Sequence, residues 1–228
     1  MLLFRFSTTS LLLLKCQREI SIRPAIWKST ISNNNPDIQN FDTSSSKEWE
    51  NYINNYLKEN NAKVAFGGYL EERNLYNRST LFNISKESQR NIHLGIDLWT
   101  KKDTKVLAVL DGRIHSFKNN QNYGDYGPTI IIEHNFSDKK FFSLYGHLSI
   151  QSIEKNKVGT KVNQGDCIGF LGDASVNGDY APHLHFQIII DIENNFGDYP
   201  GVASKQNIEF YKKNCPNPNF LLKLFNNL

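Results

Sequence analysis

Two periodicities divide the chain. Between residues 47 and 60 large apolar side chains recur every three or four positions, at Trp49, Tyr52, Ile53, Tyr56 and Leu57, and Ser45 stands three residues ahead of Glu48. Such a stripe lies along one face of an α-helix, and a Ser placed three residues before a Glu can cap the first free backbone N–H groups, so one amphipathic helix is predicted over 47–60. From about residue 104 the pattern changes to short β-prone runs at 106–110, 112–117, 129–133, 141–145, 167–171 and 184–190. Turn-forming residues part them: Asp111-Gly112, Asn122-Tyr123-Gly124-Asp125, Gln164-Gly165-Asp166 and Asn177-Gly178. Many short strands separated by such turns predict an antiparallel, mainly β domain.

Ahead of the helix, residues 29–46 are polar and Pro-broken, with Asn33-Asn34-Asn35-Pro36 and Ser44-Ser45-Ser46. A segment this poor in apolar groups cannot offset the entropy of ordering and reads as a disordered linker. Residues 1–28 alternate Arg5, Lys15, Arg18, Arg23 and Lys28 with apolar and hydroxyl residues, and Glu19 is their only acid. That composition suits a mitochondrial-like targeting segment, the apolar run at 11–14 admits a secretory signal, and a solvated disordered start accounts for it as well. No stretch approaches the roughly 20 apolar residues of a membrane helix, so no transmembrane segment is expected and the mature protein is expected to be soluble.

With 26 basic and 23 acidic residues the net charge is only +3, and no basic stripe points to nucleic acid. Cys16, Cys167 and Cys215 are odd in number and far apart, which argues against a disulfide framework or a zinc knuckle. They read as free thiols, Cys167 as a small core residue.

The chemistry lies in three short segments. In His183-Leu184-His185 the two imidazoles sit two apart, and on a strand such residues share a face at about 7 Å, so one can bind a metal while the other meets substrate. His93 and Asp97 are four apart, a separation of roughly 13 Å on a straight strand, too far for metal–ligand bonds near 2 Å. The backbone between them must bend, and Gly95 lies midway, where a bulge or tight turn is tolerated. One His and one Asp from this segment with one His of the later pair make three protein ligands and an open fourth position, the arrangement of catalytic zinc. His147, in Leu144-Tyr145-Gly146-His147-Leu148, and the remaining His of the pair can then serve as base and oxyanion partner to a zinc-activated water. Two His and a carboxylate can also hold Fe(II) for oxygenation, a reading that leaves His147 without a role. His115 and His134 are expected to be structural, Tyr145 to pack with its hydroxyl satisfied, Asn91 to lie near substrate, and Asp103 and Asp173 to form turns.

At His93-Leu-Gly-Ile-Asp97, Tyr145-Gly146-His147-Leu148 and Pro182-His183-Leu184-His185-Phe186, with Gly165-Asp166 and Gly169 between, the chain resembles the lysostaphin-type (LytM-like) zinc metallopeptidases over residues 86–192. The resemblance implies an antiparallel β-sandwich or half-barrel of the duplicated hybrid motif type with a substrate groove, here carrying an N-terminal α-helical extension. It makes His93, Asp97 and His185 the Zn2+ ligands and His147 and His183 the catalytic histidines. The implied substrate is a peptide or peptidoglycan-like chain, in cell-wall cross-links or Gly-rich segments. A non-catalytic peptide or glycan-peptide binding module on the same fold is the alternative, although no ligand or catalytic histidine is missing. Two departures stand out: Gln187 where the family usually has Glu, and Tyr180-Ala181 in place of the common Gly-containing approach to Pro182. Tyr69-Leu-Glu-Glu-Arg73, Asp198-Tyr-Pro-Gly201-Val202 and Cys215-Pro-Asn-Pro218 look like the flanks of a subgroup of such domains. The expected layout is therefore a targeting segment at 1–28, a linker at 29–46, a helical N-terminal extension at 47–85, the metallopeptidase domain at 86–192 and a C-terminal extension at 193–228.

Overall fold

The computed structural model describes residues 22–24, 45–73 and 89–224. Apart from Ile22–Pro24 and Ser45–Ser46, the expected targeting segment and linker lie outside the described residues, as do residues 74–88 of the N-terminal extension. In chain order the described elements are β1 (Ile22–Pro24), α1 (Ser46–Glu59), β2 (Val64–Gly67), β3 (Arg90–His93), β4 (Ile96–Trp99), β5 (Lys105–Leu107), β6 (Gly112–Asn120), β7 (Gly127–Phe136) and β8 (Lys139–Gly146). They continue as α2 (Ile150–Glu154), β9 (Lys161–Val162), β10 (Cys167–Phe170), β11 (His183–Ile189), β12 (Val202–Ser204), α3 (Ile208–Asn214) and α4 (Asn219–Leu222).

The fold is mainly β. One eight-stranded sheet runs β1-β2-β4-β11-β8-β7-β6-β9, beside the two-stranded sheets β10-β5 and β12-β3. All pairings are antiparallel except β1 with β2. The middle of the large sheet is buried on both faces, which is why Ile130-Ile131-Ile132 is an unbroken apolar run. Ile130 and Ile132 join one core cluster with Tyr145, Leu184 and Phe186, while Ile131 joins a second with Leu144, Leu94 and Ile189. Alternation along a strand thus serves two cores at once.

The predicted helix is present as α1, with the Ser45 hydroxyl accepting from Glu48 N at 3.2 Å. Trp49, Ile53 and Leu57 bury its apolar face against Ala65, Trp99 and Ala181, each side chain contributing about 1.5–3 kcal/mol. Helix does not continue through the extension: Val64–Gly67 is a strand, pairing with β4 through Ala65↔Trp99 and Gly67↔Asp97. Among the described residues no helix is long and apolar enough to cross a membrane.

Both described cysteines are free thiols, but Cys167 is not the core residue expected. Cys167 is exposed, starting a strand in a two-stranded ribbon, whereas Cys215 beyond α3 is fully buried in the second core cluster. Tyr145 does bury its hydroxyl satisfied, accepting from Val109 N at 3.0 Å and from the Ser143 hydroxyl at 3.2 Å.

Candidate active site

β11 lies between β4 and β8, and its register brings the three sequence segments together. Asp97 sits opposite His185, Trp99 opposite His183, and Gly146 on the other side of His185. Because members of each pair are two residues apart, Asp97, Trp99, His183 and His185 share one face, while Ile96, Leu98, Leu184 and Phe186 turn into the core on the other. His93 closes β3, and the chain bends at Leu94-Gly95 before β4, supplying the turn that the four-residue spacing demanded. Close approach also requires the glycine: a Cβ on Gly95 would lie 2.6 Å from His185 Cε1 and 2.7 Å from the Phe186 carbonyl oxygen.

His93, Asp97 and His185 are all buried and offer ligand atoms within 4.8 Å of one another. His93 Nε2 is 2.9 Å from His185 Nδ1 and 3.2 Å from Asp97 Oδ1, and His185 Nδ1 is 3.1 Å from the same oxygen. The outer ring atoms set the tautomers. His93 Nδ1–H donates to Gly68 O at 3.0 Å, and His185 Nε2–H donates to Gln187 Oε1 at 2.9 Å. In their neutral forms both rings therefore turn a lone pair, not a proton, toward the carboxylate. Three electron-pair donors facing one another in a dry site repel unless a cation stands among them. Two imidazole nitrogens and one carboxylate oxygen suit zinc, whose tetrahedral bonds near 2 Å would set the ligand atoms about 3.3 Å apart. The residues fit the ion.

Electrostatics agree with that donor set. Burial, reinforced by the Arg73 charge, pushes His93 down to about 4, so its ring is neutral near pH 7. Burial alone would raise the Asp97 carboxyl, but the permanently charged Arg73 guanidinium beside it holds it well below the usual carboxylate range. Arg73 Nη1 donates to Asp97 Oδ2 at 2.5 Å, and its Nε and Nη2 donate to Glu71 Oε2 at 3.2 and 3.0 Å. Nothing in the sequence ties Arg73 to a carboxylate 24 positions away; the only signal was its place in the flanking Glu71-Glu72-Arg73.

His147 and His183 stand side by side, ring centroids 4.1 Å apart. Each donates Nδ1–H to a backbone carbonyl, His147 to Asn177 at 2.8 Å and His183 to Ala181 at 2.7 Å. Their Nε2 atoms are thereby left as acceptors, and burial lowers both pKa values. His183 stacks on Trp99 at 5.6 Å, with its Nε2 3.9 Å from Asp97 Oδ1. His147 has φ 63°, a left-handed conformation that costs a non-glycine residue about 1–3 kcal/mol. Hydrogen bonds from His147 N to Tyr126 O and from Gly172 N to His147 O, both 2.9 Å, hold it there.

A groove of about 270 Å³ opens over these groups, lined by Asp97, His147, His183 and His185, and also by residues sequence reasoning missed: Trp49, Arg73 and Tyr126. His93 lies beneath it, fully buried. Among the histidines set aside as structural, His134 is buried between Asp111 O and the Ser143 hydroxyl, and His115 bonds the Ser116 hydroxyl. Asp103 adopts φ 61° and Asp173 accepts from Ser175 N, both turn roles. Asn91 meets Arg73 through its backbone carbonyl.

Residues 91–196 match the profile of peptidase family M23. This segment is an M23 peptidase domain of the lysostaphin type. The chain is 33% identical over 97 residues to endolysin 2638A of Staphylococcus phage 2638A, spanning 42% of this chain and 18% of that protein. It is 35% identical over 95 residues to the glycyl-glycine endopeptidase ALE-1 of Staphylococcus capitis, spanning 42% of this chain and 24% of that protein. The match thus spans about a fifth to a quarter of these relatives' length. Superposition on the catalytic domain of the antimicrobial peptidase lysostaphin from Staphylococcus simulans covers 74% of this chain and 98% of that one, at 24% identity and a TM-score of 0.39. Part of the groove comes from outside the M23 domain, from Trp49 of α1, Arg73 and the segment 198–202.

Proposed function

We propose that this chain is a zinc-dependent metalloendopeptidase that hydrolyses amide bonds, in peptidoglycan cross-links or Gly-rich peptides. The observation that carries the reading is the meeting of three electron-pair donors, His93 Nε2, Asp97 Oδ1 and His185 Nδ1, next to two imidazoles whose Nε2 atoms are acceptors. His93, Asp97 and His185 would hold the ion. Zinc, when bound, lowers the pKa of a water and polarises a carbonyl. His147 and His183 do the proton work: a neutral Nε2 accepts a proton from the attacking water, and a protonated Nε2–H stabilises negative charge on the scissile carbonyl oxygen or passes the proton to the leaving amine. Asn177 O and Ala181 O hold the two rings in the tautomer this requires. The substrate class draws on the relatives, one of which is named a glycyl-glycine endopeptidase.

Metal analysis of the wild type and His185→Ala, paired with hydrolysis of oligoglycine and of peptidoglycan, tests this. About one zinc per wild-type chain with turnover, both lost together in the variant, is the expected result. A wild type free of zinc would overturn the reading, and ligand binding without turnover, unchanged in His147→Ala, would replace it with a binding module.

A further inference from the structure

Gln187 is fully buried two residues beyond His185 on the same face of β11, and its amide works at both ends. Oε1 meets His185 Nε2 at 2.9 Å, while Nε2 donates to Pro200 O at 3.1 Å and to Cys215 Sγ at 3.3 Å. The orientation is forced. A backbone carbonyl can only accept, so the NH2 end must face Pro200 and the oxygen end must face His185. His185 Nε2 then carries the proton, and the lone pair is left on Nδ1, the atom that faces His93 and Asp97.

We propose that Gln187 is a positioning residue: it fixes the metal-facing tautomer and ring orientation of His185, and its NH2 group locks that arrangement to the segment 198–215. The inference rests on His185 being a metal ligand. A Glu oxygen here would face the Pro200 carbonyl oxygen, acceptor against acceptor, in a fully buried position. The same segment grips the other histidine ligand, because Gly201 O accepts from Leu94 N at 2.9 Å and Val202 pairs with His93. Gly201 also leaves room for Tyr126, whose hydroxyl would lie 1.8 Å from a Cβ at that position. A stretch beyond the M23 domain thus buttresses both imidazole ligands, and Gln187 is the side chain that joins it to the site.

The test measures zinc affinity by chelator competition, and thermal unfolding of the metal-free protein, for the wild type, Gln187→Leu, Gln187→Met and Gln187→Glu. Met keeps the length of the side chain without a carbonyl oxygen and stands in should Leu not fold. Losing the acceptor for Nε2–H is expected to weaken zinc binding about 10–100-fold. Gln187→Glu keeps an acceptor, so its zinc affinity is expected to stay near that of the wild type while its metal-free form melts lower through the clash with Pro200. Leu and Met variants that bind zinc as tightly as the wild type, with only their melting changed, would reduce Gln187 to a packing role and overturn the proposal. A Glu variant as weak as Leu would overturn the assignment of Oε1 as the working end. A wild type that binds no zinc would instead defeat the reading of His185 itself.

Discussion

Arg73 and Asp97 divide one carboxylate between two duties: Oδ2 accepts from Arg73 Nη1 at 2.5 Å, while Oδ1 faces His93 and His185 at 3.2 and 3.1 Å. Both partners are buried, and Glu71 Oε2 accepts from Arg73 Nε and Nη2. Removing one member of a buried pair leaves an uncompensated charge, which typically costs about 3–5 kcal/mol. Arg73→Met is therefore expected to lower the unfolding free energy of the metal-free protein by about that amount in urea titration. Arg73→Lys should recover only part of the loss, because a single ammonium cannot serve Asp97 and Glu71 with a planar fork. A loss below about 1 kcal/mol, as for an exposed pair, would mean the ion pair does not form in solution.

His147 combines a strained backbone with a catalytic assignment, and a substitution can separate the two. Asn tolerates the left-handed region better than most residues. His147→Asn is expected to unfold within about 1 kcal/mol of the wild type, and to lose roughly 10²–10⁴-fold in hydrolysis rate, the usual contribution of a general acid–base group. Retained turnover in that variant would remove His147 from the mechanism.

Acid should destabilise the metal-free protein. His93 is pushed down to about 4, and His147 and His183 also lie below their ordinary value, burial being the largest cause in each. An imidazole whose folded pKa is depressed is protonated first in the unfolded chain as pH falls. The stability from keeping it neutral is therefore fully present above about pH 6.5 and is lost as pH drops toward 4. Asp97, held well below the carboxylate range, acts in the same direction at still lower pH. Urea midpoints measured from pH 7 to 4 are expected to fall, with His93 alone accounting for about 3 kcal/mol. A flat profile would show that these rings are not held neutral by the fold.

The features legible in the chain are those that depend on neighbours a few residues apart. The Ser45 cap and the apolar stripe of α1 follow from helical spacing, and the shared face of His183 and His185 follows from the period of two in a strand. The bend between His93 and Asp97 followed from a length mismatch that only a break in the strand could resolve. By contrast β3, β4 and β12 are only three or four residues long, and β4 is buried throughout, so neither length nor alternation marked them.

By itself, then, the sequence determined the local frames: one capped helix, a series of strands, and three segments whose histidines and aspartate each had a stated direction. Tertiary structure alone decided which atoms meet. Strand register set Asp97 against His185, a segment ahead of β3 brought Arg73 to the far oxygen of Asp97, and residues past the M23 domain set Pro200 and Cys215 on the amide of Gln187. It also left Cys167, expected in the core, exposed, and buried Cys215. The physical reason is common to all of these: hydrogen bonds and burial between distant segments arise from how sheets pair and pack, and no periodicity along the chain encodes that partner choice.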